Sequence, residues 1–174
     1  MHKQTFRTVL ATVCVSLIPI VASAQTVAVD YDRQADFSKF KSYAWVSGEP
    51  ASNPLVHKRI VSGIEAQLAS KGWTQNNETP NALVMYYAAI DAERQLNAWG
   101  NGPRWNGFGS AKVETILTGQ LVVDVYDARN EELIWRGVVS DEMSDKPEKN
   151  EKKLNEAITK LFKQFPPARS SRTN

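Results

Sequence analysis

Gly119-Gln-Leu-Val-Val-Asp-Val-Tyr-Asp127, then Ala-Arg-Asn-Glu-Glu132, then Leu-Ile-Trp-Arg-Gly137, is the stretch whose reading decides the fold. Leu121, Val123 and Val125 fall on one side of an extended chain and Gln120, Asp124 and Tyr126 on the other. That is the period of two of a half-buried strand. The parity continues upstream through Val113 and Leu117 on one face and Glu114 and Thr118 on the other. It predicts one long strand over Lys112 to Asp127, with Gly119 as a bend or bulge rather than a turn. Asp127 to Glu131 has turn chemistry, and Glu132 to Asp141 reads as the next strand. The odd residues Leu121, Val123, Val125, Leu133 and Trp135 then form a core face. Asp124 and Arg136 share the outer face and are expected to form a structural pair across the ladder. As an exposed pair it is worth about 0–1 kcal/mol.

Working outward, Ala82 to Leu96 alternates in the same way, and Thr26 to Tyr31 and Ser42 to Val46 are shorter strands. The three long strands are joined by one loop and one tight turn, so they should form an antiparallel meander. Asn53-Pro54 starts a helix, because Asn caps well and Pro at the first position gives up only an unneeded donor. Val56, Ile60, Val61, Ile64 and Leu68 make its apolar stripe, and Gly72 supplies the left-handed residue that ends it. Asp145-Lys-Pro-Glu148 has capping-box spacing. Leu154, Ala157, Ile158, Leu161, Phe162 and Phe165 follow as a second stripe, closed by Pro166-Pro167. Two amphipathic helices on one face of a mostly antiparallel sheet of about five strands give an α+β, two-layer sandwich.

Met1 to Ala24 reads as a secretory signal peptide. Lys3 and Arg7 are its basic start, Val9 to Val21 its apolar run, and Ala22-Ser23-Ala24 its cleavage site. Cys14, the one cysteine, follows Val13 rather than a small residue, which argues against lipoprotein anchoring and for a periplasmic protein. Residues 25–167 then form a single domain and 168–174 a disordered tail. Cleavage would remove Lys3 and Arg7 and with them the net charge of +2. A neutral domain has no electrostatic case for nucleic acid.

A set of pieces in order resembles the DUF4136 family, envelope proteins of Gram-negative bacteria with no established activity. The pieces are Asp30-Tyr31-Asp32, Phe37, Tyr43-Ala44-Trp45, Gly72, Leu83-Val84, Gly119 to Asp127, Leu133-Ile134-Trp135-Arg136-Gly137 and Phe165-Pro166-Pro167. The resemblance implies an envelope location and carries no catalytic residues or cofactor with it. Asn81 stands where the family pattern usually has Asp after Pro, so a catalytic role for that position is not implied.

Chemistry-bearing patterns are sparse. His57 is the one histidine after residue 24, no thiol follows the leader, and no metal site or cofactor is expected. Trp99, Arg104, Trp105 and Phe108 are the ligand-binding candidates. They lie in the Gly- and Asn-rich stretch from Asn97 to Ser110, where aromatics beside Arg suit a glycan or peptide. Leu83, Met85, Tyr87, Ile116, Val122, Tyr126, Ile134 and Val138 make the outer sheet face apolar enough for a partner or a dimer. The expected function is a non-catalytic envelope module binding a protein, glycan or lipid. The alternative is a periplasmic hydrolase using a carboxylate pair near the 97–110 loop; Asp91 and Glu93 share the outer sheet face, as do Glu114 and Asp124.

Overall fold

In the computed structural model, which describes residues 25–98 and 111–167, one strand runs unbroken from Ala111 to Asp127. The expected leader, residues 1–24, and the expected tail, residues 168–174, lie outside the described residues. In chain order the elements are β1 (Thr26–Tyr31), β2 (Ser42–Trp45), α1 (Pro54–Ser70), β3 (Thr74–Gln75), β4 (Ala82–Ala98), β5 (Ala111–Asp127), β6 (Leu133–Glu142) and α2 (Pro147–Phe162). A short 3-10 turn, Phe37–Lys39, sits between β1 and β2.

Among the described residues the sheet has six strands in the order β1-β6-β5-β4-β2-β3. β4, β5 and β6 form the antiparallel meander, and β1 adds antiparallel to β6. The other edge corrects the expectation of about five mostly antiparallel strands: β2 lies parallel to β4, and β3 parallel to β2. The cause is α1, which carries the chain back so that the strands after it run in the direction of β2. Two residues are too few to show a period, which is why β3 has no sequence signal. Asn81 acts at this edge. Its Oδ1 accepts from Ser42 Oγ at 3.0 Å, and its N–H donates to Ser42 O at 3.1 Å, holding the start of β4 to the start of β2.

Gly119 is neither a bend nor a bulge: Ile90↔Gly119 is an ordinary step of the β4–β5 ladder. The irregularity lies between Val125 and Tyr126, which pair with Trp135 and Leu133 and leave Ile134 as the extra residue. One extra residue reverses parity. Leu133, expected in the core, is therefore 40% exposed, and Ile134, expected outside, is 4% exposed.

The core lies between the sheet and the two helices. Ile60, Ile64 and Leu68 of α1 and Ala157, Ile158, Leu161 and Phe162 of α2 meet Val84, Leu121, Val123, Val125, Trp135 and Val139. Phe165, just past α2, packs edge-on against Trp135 at 5.0 Å, Trp73 at 5.1 Å and Phe162 at 5.5 Å, favoured geometry for aromatic pairs.

The start of α1 is as its sequence implies. Asn53 Oδ1 accepts from Leu55 N–H at 2.9 Å, and Gly72 takes φ +78° beyond the last turn. At α2 the capping box does not form. Pro147 takes the first helical position, so Lys146 is the cap and Asp145 lies outside. Asn150 substitutes: its Oδ1 accepts from Ser144 N–H and its Nδ2 donates to Ser144 O, both at 2.7 Å.

Gly137 sets the approach of α2 to β6. A Cβ there would overlap Trp135 Cη2 and stand 2.6 Å from Leu161 Cδ1, both side chains being fully buried. Gly137→Ala is expected to cost about 1–3 kcal/mol through overpacking, read from urea unfolding. An unchanged midpoint would show that the indole is free to shift.

The β5–β6 turn is held by Asp127, whose carboxylate accepts from Arg129 Nε at 3.0 Å and Arg129 Nη2 at 2.5 Å. The Arg129 hydrogen bond holds the Asp127 carboxyl below the ordinary carboxylate range. Its contribution to stability is therefore complete above that range and is lost as pH falls through the lowered folded value. Arg129→Ala is expected to flatten the acid limb of the stability–pH curve. An identical acid limb in both proteins would deny the linkage.

Candidate functional site

A 17-residue helix such as α1 is about 26 Å long, whereas a 17-residue strand such as β4 spans about 56 Å. The helices cover one end of the sheet, and β4 and β5 run on beyond it. On the β6 side, flanking contacts to β5 reach Thr118↔Glu142 and Met143 N–H to Leu117 O. On the other side, the strap of residues 47–53 reaches Ala88, whose N–H donates to Glu49 O. Further out, from Glu93↔Ile116 to Ala98↔Ala111, the described strands pair only with each other. This is a two-stranded arm, and Ile90 at its base is 61% exposed and Leu117 42%.

Where the helices begin and the arm leaves, a groove of about 600 Å³ opens. Ala88, Ile90, Gly119, Leu121, Val139 and Met143 form its floor. Val56 and Ile60 of α1 and Leu154 and Ala157 of α2 form its walls. A Cβ on Gly119 would find its nearest neighbour, Met143 Cγ, at an ordinary 3.6 Å, so this position opens into the groove.

The rim is charged, and most of its charges are paired. Arg59 Nη2 lies 2.9 Å from Glu151 Oε2, tying α1 to α2. Lys153 Nζ lies 3.2 Å from Asp141 Oδ1, and Gln25 Nε2 donates to Asp141 Oδ2 at 2.7 Å. Glu142 also lines the groove, and its carboxylate is in no ion pair among the described residues. The strap forming one wall is anchored on Tyr86, whose hydroxyl accepts from Ala51 N–H at 3.3 Å and bonds His57 Nδ1. The two rings stack at 5.8 Å, so His57 serves as packing on Tyr86. Burial pushes the Tyr86 hydroxyl up from its ordinary value.

The opposite face of the sheet is built around Asp124. Arg136 Nε donates to Asp124 Oδ1 at 2.7 Å and Arg136 Nη2 to Oδ2 at 2.6 Å, a two-pronged pair between β5 and β6. The pair differs from the exposed one expected: the Asp124 side chain is 0% exposed and that of Arg136 46%. Met85, Tyr87, Val122, Tyr126 and Val138 are each half-buried, so this outer layer is less open than its composition implies. Tyr126 donates to Asp124 Oδ2 at 3.4 Å. The two-pronged bond and the nearby charge hold the Arg136 guanidinium further above its already high range.

Trp99, Arg104, Trp105 and Phe108 lie outside the described residues. Of the acids of the hydrolase alternative, Asp91 is exposed at the base of the arm and Glu93 and Glu114 are exposed on it, whereas Asp124 is buried and held by Arg136. The described residues hold no group of three or more His, Cys, Asp or Glu placed to bind a metal ion. The groove was missed by sequence reasoning. Its signal was present: Ile90 and Leu117 continue the core parity beyond the reach of either helix stripe.

The family model described as Domain of unknown function (DUF4136) matches residues 27–167. No curated protein matches the chain. Among solved structures the chain is similar to a PDZ domain protein from Parabacteroides distasonis ATCC 8503, with TM-score 0.58 and 17% identity. That likeness covers 84% of this chain and 37% of the other, and it is one of fold. Weaker likenesses are to the PelC dodecamer from Paraburkholderia phytofirmans and a minor lipoprotein from Acinetobacter baumannii. The first has TM-score 0.47 and 11% identity, over 79% of this chain and 94% of that one. The second has TM-score 0.39 and 14% identity, over 72% and 92%.

The outer-face pair yields an asymmetric prediction. Arg136→Met leaves a buried carboxylate without its cation and is expected to cost about 3 kcal/mol. Asp124→Asn leaves an arginine that can turn to water and should cost about 1 kcal/mol. Urea unfolding of both variants checks the order, and equal costs would mean that Asp124 reaches solvent when unpaired.

Proposed function

The chain belongs to the DUF4136 family, and we propose that it is a non-catalytic binding and assembly module of the cell envelope that receives an apolar segment in the groove between α1, α2 and the β4–β5 arm. The observation that carries this reading is the groove itself: an apolar floor, open to solvent, inside a rim of charges. Concave apolar sites with a few polar groups at the edge are the common form of binding pockets. Two groove acids, Asp141 and Glu151, each have a cation partner, which favours binding over acid–base chemistry. The periplasm is supported by the secretory pattern of residues 1–24. Among the described residues no helix is long and apolar enough to cross a membrane.

Gly119 separates the site from the fold. A Cβ there already touches Met143 at the groove floor, so a phenylalanine ring would press on Met143 rather than on a residue of the buried core, and aromatic residues suit a strand. Gly119→Phe is expected to abolish the fluorescence gain of an environment-sensitive apolar dye while leaving the thermal midpoint unchanged. Equal dye binding by both proteins would overturn the groove as the site.

A further inference from the structure

We infer that the occupant of the groove is the β4–β5 arm of a second copy of this chain, so that copies join head to tail. The inference rests on the groove being a receptor and names what it receives.

Three observations on the arm and one on the groove carry it. First, the arm is a two-stranded ribbon beyond the helices, and such a ribbon is marginally stable in water by itself. Second, its helix-side face keeps the parity of the core: Ile90, Ala92 and Leu117 continue the rows of Ala88 and Leu121. Ile90 and Leu117 are two of the four most exposed large apolar side chains among the described residues. Third, Arg94 stands on that same face opposite Thr115. It is exposed and in no ion pair among the described residues. The groove offers the complement, an apolar floor with Glu142 at its rim unpaired. A chain cannot bring its own arm into its own groove, because the arm is the straight continuation of the groove floor. The contact is therefore between different patches on two copies, a heterologous interface that closes into a ring or extends into a filament. Matched charges at such a contact set register and partner choice.

Light scattering of the full secreted chain across a concentration series tests this. Wild-type protein is expected to associate. Arg94→Glu and Glu142→Arg should each raise the dissociation constant about tenfold or more, and the double reversal should recover most of the loss. Both positions are exposed, and far-ultraviolet circular dichroism confirms that each variant is folded. Mixing Leu117→Asp protein (defective arm, Leu117 lying outside the groove lining) with Gly119→Phe protein (filled groove) should yield a heterodimer, since each supplies the half the other lacks. A monomer at every concentration that still binds the apolar dye overturns self-docking and leaves the groove reading standing. A dimer indifferent to these variants but dispersed by Tyr126→Asp moves association to the outer sheet face and overturns it as well. Dye binding unaffected by Gly119→Phe overturns both readings together.

Discussion

An α-helix advances about 1.5 Å per residue and a strand about 3.3 Å, and this difference governs the molecule. α1 and α2 have 17 and 16 residues, β4 and β5 have 17 each. Elements of equal residue count cannot cover one another. The core forms where the helices reach, and the same strands emerge bare past their N-terminal ends. Groove and arm are two views of one mismatch.

Within the covered half, packing rather than polar bonding fixes the geometry. Trp135 lies over Gly137, α2 settles against both, and Phe165 closes the end of the helix against four aromatic neighbours. On the reverse face the arrangement is polar at its centre. Asp124 is covered by its neighbours and held by Arg136, a charge whose burial is tolerable only because both carboxylate oxygens are bonded. The two sides of β5 thus use different physics at adjacent residues, Val123 and Asp124.

Much of this was legible in the sequence where a pattern ran long enough to have a period. The parity of residues 112–127, the stripe of α1 and the Asn53 cap need only local rules. The two-residue β3 and the direction of β2 are tertiary outcomes of where α1 returns the chain, and no local rule encodes them. The bulge at Ile134 shows a subtler limit: alternation read through Leu133 to Trp135 looks regular, and only pairing with Val125 and Tyr126 reveals the inserted residue. The α2 cap failed because Pro147 outranks Asp145 in choosing the first helical position. The groove was hidden because it is made by the relative lengths of four elements, whereas each lining residue alone is an ordinary apolar or charged one.

The place of β1 has a temporal meaning. It is the first strand among the described residues, yet the strand it pairs with is β6, with Thr26 opposite Ser140 and Tyr31 opposite Trp135. Such a sheet cannot be completed from the N-terminus as the chain is made: its first strand waits until more than a hundred further residues have followed. Contacts this remote in sequence slow folding, because loop closure precedes any gain from pairing. That edge of the sheet therefore stays open until nearly all of the chain is present, and the unpaired side of β6 is covered last.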